Sequence, residues 1–276
     1  MSNLPKIMVF DSGAGGLTIS KELILRLPAL HLIFVSDKTY FPYGDKPDSE
    51  LIVRICNQME HMISTHKPDL VVVACNTAST IALNALRQRF TTPFVGVVPA
   101  IKPAVKLSKT GVIGLLATPA TSNRQYTHQL IEDFAKDSSV VIHGSKSLVT
   151  EAELCLIGKI PDYKLLETEL NTLFAMPRGE QIDTIVLACT HFPLLRSALN
   201  EIAEQLNKTI TWVDSGEAIA RRVASLLHLD YQPNIGSSSR IGKATTANSV
   251  EFIDCDINQD LSAFIPAAYE YLFQLN

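Results

Sequence analysis

Two cysteines stand in matched settings. Cys75 follows Val71-Val72-Val73-Ala74 and precedes Asn76-Thr77-Ala78-Ser79; Cys189 follows Val186-Leu187-Ala188 and precedes Thr190-His191-Phe192-Pro193, a little over a hundred residues on. A cysteine within such an apolar run is usually inert packing, whereas a thiol at a helix N-terminus is biased towards thiolate, the reactive form. One such cysteine would be weak evidence. Two in matching positions are hard to explain as packing. Taking the hydrogen α to a carboxylate requires a base on one face, and returning a proton to the other face requires an acid. A racemisation must interchange these roles in the reverse direction, so two chemically similar groups suit it, and tuned thiols act either way near neutral pH. Asp11 and His191 could assist, one beside each thiol.

Other uses of the same residues must be weighed. Cys189 with His191 could begin a metal site, but no third and fourth ligand follow at suitable spacing. Cysteine–histidine nucleophilic catalysis leaves the second thiol without a role. The run Asp11-Ser12-Gly13-Ala14-Gly15-Gly16 tempts a nucleotide-loop reading, yet Thr18 stands where a dinucleotide fingerprint wants glycine, and no Gly-Lys-Ser/Thr follows. What remains is a turn exposing backbone N–H groups at a helix start, suited to a carboxylate. A plain helix cap by Asp11 or Ser12 would need the same residue types, and the loop alone leaves both readings open. Cys56, Cys155 and Cys255 read as structural, and the histidines other than His191 as ordinary surface or packing residues.

These side chains need strands to carry them. Short apolar runs predict strands over Lys6–Phe10, His31–Val35, Leu70–Ala74, Phe94–Val97, Gly111–Leu116, Val140–Ile142, Thr184–Ala188 and Ile210–Val213. Helical patterns lie between, among them Leu17–Leu27, Glu50–His66, Ala78–Phe90, Ser122–Phe134, Leu165–Phe174 and Leu194–Leu206. Continuous rather than alternating apolar strands, separated by helices, predict an α/β fold with parallel sheets covered on both faces. The turns repeat: Val9-Phe10-Asp11-Ser12-Gly13 parallels Leu116-Ala117-Thr118-Pro119, as the Cys75 turn parallels the Cys189 turn. Two similar lobes are therefore expected, residues 1–98 with 210–276 and residues 99–209, with the active site in a cleft between them. Pro99 and Pro103 punctuate the first boundary, and the Ile210–Val213 strand is assigned back to the first lobe. In such sheets ligands bind beyond the carboxyl ends of strands, where Asp11, Ser12, Cys75, Asn76, Thr77, Thr118, Thr121, Cys189, Thr190 and His191 all fall.

Composition narrows the class without naming a reaction. At 276 residues, 46% hydrophobic and 19% charged, the chain can bury a large core, and its formal net charge of −4 carries no basic footprint for nucleic acid. No apolar run is long enough to span a bilayer, and no basic start with a long apolar core marks an export signal. Five cysteines without a Cys-x-x-Cys pair argue against a disulfide framework or zinc ribbon. A soluble cytoplasmic protein with reduced thiols is the expectation.

Several separated motifs then give a resemblance. Phe10-Asp11-Ser12-Gly13-Ala14-Gly15-Gly16, Phe41-Pro42-Tyr43-Gly44, Ala74-Cys75-Asn76-Thr77-Ala78-Ser79 and Cys189-Thr190-His191-Phe192-Pro193-Leu194-Leu195 resemble the glutamate racemases of the aspartate/glutamate racemase superfamily, over most of the chain. The resemblance implies that Cys75 deprotonates D-glutamate and Cys189 L-glutamate, with Asp11 and His191 as auxiliary catalytic residues. Asp11, Ser12, Tyr43, Gly44, Asn76, Thr77, Thr118, Thr121, Glu153, Thr190 and His191 are its implied substrate contacts. It implies neither pyridoxal phosphate nor metal, a product used for peptidoglycan, and homodimers as a common state. Ala188 and Phe192 depart from the glycine and tyrosine common in the family, and neither touches the chemistry. An aspartate racemase or related isomerase of the same superfamily would keep the thiols but lack the Pro42-Tyr43-Gly44 turn. A two-lobed binding protein without catalysis would have no need of two equivalent thiols.

Overall fold

A computed structural model describes residues 4–233, 248–255 and 264–273. The first of its two units holds β1 (Lys6–Asp11), α1 (Gly16–Arg26), β2 (His31–Ser36), α2 (Asp48–His66), β3 (Leu70–Val73), α3 (Asn76–Arg89) and β4 (Phe94–Gly96). The second, Val98–Ser215, begins with α4 (Ile101–Leu107), β5 (Val112–Ala117), α5 (Pro119–Ser122), α6 (Gln125–Phe134) and β6 (Ser139–Gly144). It continues through α7 (Ser147–Leu156), α8 (Tyr163–Ala175), β7 (Thr184–Ala188), α9 (Arg196–Gln205) and β8 (Thr211–Val213). The chain then rejoins the first unit with α10 (Gly216–Leu227), β9 (Ser249–Asp254) and α11 (Phe264–Phe273).

Each unit is an α/β layer structure around a parallel sheet. The five-stranded sheet has the order β4-β3-β1-β2-β9 and the four-stranded sheet β6-β5-β7-β8, every pairing being parallel. Set β1 against β5, β2 against β6, β3 against β7 and β4 against β8, and the two orders coincide, with β9 added to the first. The repeated turns of the sequence thus fall on equivalent strands.

Burial explains why these segments settle as they do. All four residues of β3 are buried, as a strand covered on both faces requires. Helix α2 presents Leu51, Ile55, Met59 and Met62 to the core at helical spacing. Each such side chain stabilises by about 1.5–3 kcal/mol on burial, against tenths of a kcal/mol from intrinsic helix propensity. Packing therefore decides the position of α2. In the second unit Ile113, Leu115 and Val186 form the matching core with Ile101 and Val213.

That last residue marks a difference from the expected division. Strand β8 does not return to the first unit. It pairs with β7 from Thr184↔Thr211 to Val186↔Val213, buries Trp212 and Val213, and joins Trp212 Nε1 to Asn200 Oδ1 at 2.9 Å. The crossing back comes at Gly216. Helix boundaries also shift: the expected Ser122–Phe134 helix is two, because Thr118 caps a short α5 with Pro119 at its first position. The expected Leu194–Leu206 helix is a 3-10 turn, Phe192–Leu195, followed by α9.

Candidate active site

Parallel register places the first thiol. Phe10 is paired with Val73, and Ala74 N donates to Phe10 O at 2.7 Å, so two residues further Ser12 runs alongside Cys75. The Ser12 hydroxyl lies 3.6 Å from Cys75 Sγ. Cys75 is the N-cap residue of α3 and is 8% exposed, at the positive end of the helix dipole. Ser79, one turn into α3, donates to Val73 O at 2.7 Å and accepts from Val97 N at 3.0 Å. One hydroxyl thus ties the end of β3, the helix and the end of β4 around the thiol. Asn76 and Thr77, the first residues of α3, are buried.

The hydrogen bonds of the Asp11 loop exclude the helix-cap reading. Asp11, fully buried, accepts from Gly13 N at 2.9 Å. The N-cap of helix α1 is instead Gly15, with no side-chain cap bond, so neither Asp11 nor Ser12 serves as its cap. Gly16 is required by close approach: a Cβ there would lie 2.9 Å from that of Asp11 and 3.2 Å from that of Ala74. Beside this loop, Tyr43 is buried within the 3-10 turn Tyr43–Asp45 while Gly44 is exposed. The Tyr43 hydroxyl donates to Asp37 Oδ2 at 2.6 Å. Burial, and then the Asp37 carboxylate, raise the phenol's pKa far above its usual value, so it stays protonated.

The second thiol has different company. Ala117 is paired with Ala188, so Thr118 and Cys189 emerge side by side from β5 and β7. His191 Nδ1 lies 3.7 Å from Cys189 Sγ, and His191 Nε2 lies 2.7 Å from Glu153 Oε1. His191 is 2% exposed. Burial alone would lower the imidazole's pKa, but its hydrogen bonds to Cys189 and Glu153 carry it well above the usual value. Glu153 rides on α7, whose first residue, Ser147, donates to Glu169; Glu169 also pairs with His143 at 2.5 Å. Thr118 Oγ1 accepts from Thr121 N at 3.2 Å and donates to Thr121 Oγ1 at 3.1 Å, while Thr190 is buried beside His191 in the chain.

Each unit thus brings its own expected residues together. Asp11, Ser12, Cys75, Asn76, Thr77, Tyr43 and Gly44 belong to the first unit; Thr118, Thr121, Glu153, Cys189, Thr190 and His191 belong to the second. Two residues that sequence reasoning passed over are Asp37 and Arg54. Asp37 is fully buried and takes both Nε and Nη2 of Arg54, at 2.6 and 2.5 Å. Its place just beyond β2 was the available signal. Among the described residues no group of His, Cys, Asp and Glu is set to hold a metal ion, and no helix is long and apolar enough to cross a membrane.

Residues 28–223 match the profile of the Asp/Glu/hydantoin racemase family. The chain belongs to this family. The glutamate racemase of Photorhabdus laumondii is 44% identical over 269 residues, covering 98% of this chain and 88% of the relative. That of Pectobacterium carotovorum is 48% identical over 236 residues, covering 84% and 81%. Among solved structures, Escherichia coli glutamate racemase in complex with L-glutamate and the activator UDP-MurNAc-ala is 38% identical, with a TM-score of 0.78 over 91% of this chain and 97% of that one. An isoform from Bacillus anthracis is 26% identical, with a TM-score of 0.76 over 97% and 94%. The chain is therefore an isomerase of the racemase class.

Proposed function

We propose that this racemase interconverts L- and D-glutamate without pyridoxal phosphate or metal, Cys75 and Cys189 acting as the two acid/base groups. The observation that carries the proposal is the equivalence of β3 and β7, each followed within two residues by a buried thiol beside a polar turn. Relatives 44–48% identical, all named glutamate racemases, support the choice of substrate.

From L-glutamate, the Cys189 thiolate takes the α-proton, and the electron pair of that bond stays on the α-carbon, spreading into the carboxylate. The Cys75 thiol then gives its proton to the opposite face, forming D-glutamate. Cys189 ends as thiol and Cys75 as thiolate, the state from which D-glutamate reacts. His191, held by Glu153, lies 3.7 Å from Cys189 Sγ, near enough to exchange a proton with it. Asp11, Ser12, Tyr43, Gly44, Asn76, Thr77, Thr118, Thr121, Glu153, Thr190 and His191 are proposed to hold the amino acid.

The test is isotopic. In deuterium oxide, stopped early, L-glutamate should give D-glutamate carrying deuterium at the α-carbon, while unreacted L-glutamate stays largely protiated. Early product retaining its original α-hydrogen would mean one base serving both faces. Aspartate assayed alongside should turn over far more slowly. A cytoplasmic enzyme supplying peptidoglycan should also restore growth to a bacterial strain that depends on added D-glutamate; no growth would reject that role.

A further inference from the structure

We infer that Asp37 and Arg54 are positioning residues for substrate, acting through the Tyr43 hydroxyl on the Tyr43–Gly44 turn. The Asp37 carboxylate is fully buried and receives three donors at once: the Tyr43 hydroxyl at 2.6 Å and the two-pronged guanidinium of Arg54 at 2.6 and 2.5 Å. Its backbone N–H donates to Asp11 O at 3.0 Å, so the same residue is tied to the loop that precedes Cys75 in space. Arg54 is itself held, its guanidinium 4.4 Å from the centre of the Tyr40 ring. The Tyr43 ring packs near Phe10, centroids 6.4 Å apart.

This arrangement limits what Tyr43 can do. Its proton points to Asp37 and stays on the phenol, so the side chain offers no acid or base to a reacting carbon. Whatever the turn gives a ligand must come from the exposed side, through the backbone at Gly44. A turn of so few residues keeps that backbone in place only if its buried side chain is fixed. A forked guanidinium–carboxylate pair supplies direction as well as attraction, and lysine does not reproduce it. Asp37 and Arg54 therefore act at one remove, on the placing of the substrate rather than on proton transfer. The inference rests on the reading of Tyr43 and Gly44 as contacts of the glutamate substrate.

Tyr43→Phe keeps the ring and removes only the tie; Arg54→Lys keeps the charge and removes the fork. Each should raise KM for L- and D-glutamate alike, about tenfold, the loss of roughly one charge-assisted hydrogen bond, with kcat within about a factor of two. Combined, they should raise KM by less than the product of the single effects, because both act on one carboxylate. Asp37→Asn should resemble them, and if it does not fold the other two decide. Unchanged KM in a folded Tyr43→Phe enzyme, a fall in kcat alone, or fully multiplicative effects would overturn the inference. A wild-type enzyme inactive on glutamate would instead remove the substrate reading itself, and the inference with it.

Discussion

The surroundings of Cys75 and Cys189 differ more than their positions do. Both thiols follow a buried parallel strand at equivalent places in the two sheets. Cys75, however, opens a fourteen-residue α-helix and meets a serine hydroxyl. Cys189 leads into a four-residue 3-10 turn and meets an imidazole backed by a carboxylate. The dipole of a full helix supports negative charge at its N-terminus, and one 3-10 turn has little of it. Where the helix is lacking, the chain has placed His191. The same strand-end frame thus sets one thiol against a helix N-terminus and the other against an imidazole–carboxylate pair.

The hardest test of that comparison is to remove either thiol. Cys75→Ala and Cys189→Ala should each lower kcat at least about a thousandfold in both directions, within the range for losing an acid/base group, with circular dichroism unchanged. A single variant at full speed would end the idea of paired thiols. Next come the helpers. His191→Asn should cost about tenfold to a hundredfold, mostly in proton removal from L-glutamate, and Asp11→Asn should weigh on the D-glutamate direction if Asp11 serves Cys75. Since the equilibrium constant ties the two kcat/KM ratios together, the asymmetry must be sought in isotope effects on α-deuterated substrate. Equal isotope effects in both directions, for both variants, would show that the two surroundings are not functionally distinct.

How much of this contrast could be read from the chain depends on the kind of signal. Strand ends were legible because Leu70–Ala74 and Ile185–Ala188 are unbroken apolar runs that give way to Cys75-Asn76 and Cys189-Thr190. The repeat was legible for the same reason. Pairing partners were not: Thr211–Val213 is three residues long and carries nothing to say that β7 is its neighbour. Strand β9 was passed over because Ser-Val-Glu-Phe-Ile-Asp alternates polar residues along a half-exposed edge. Asp37 and Arg54 look like surface charges in sequence, since only burial turns them into a pair. Glu153 was implied by resemblance alone, and its bond to His191 depends on how α7 packs. The expected helix from Leu194 overlaps the end of the 3-10 turn after Cys189, so His191 was legible as that thiol's companion while the lack of a helix N-terminus there was not.

The smallest expected effect sharpens the comparison most, because it touches neither thiol. Glu153→Gln leaves a hydrogen-bonding partner for His191 but removes the carboxylate charge 2.7 Å from Nε2. Burial then opposes the imidazolium with less compensation, so the pKa of His191 should fall from its raised position, read by NMR of labelled histidine. Turnover from L-glutamate should drop by about threefold to tenfold, a change of roughly 1 kcal/mol in barrier. The sign of the stability effect follows from linkage. A histidine whose folded pKa exceeds its unfolded value of about 6.5 stabilises in full below that pH, and loses the contribution as pH rises through the folded value. Wild type should therefore exceed Glu153→Gln in urea midpoint most clearly near pH 6, where the carboxylate is ionised and the imidazole charged in both states. The gap should narrow at higher pH. A gap that held constant or widened towards pH 9 would mean that Glu153 supports α7 by packing, and that the imidazolium beside Cys189 is not what distinguishes the second thiol from the first.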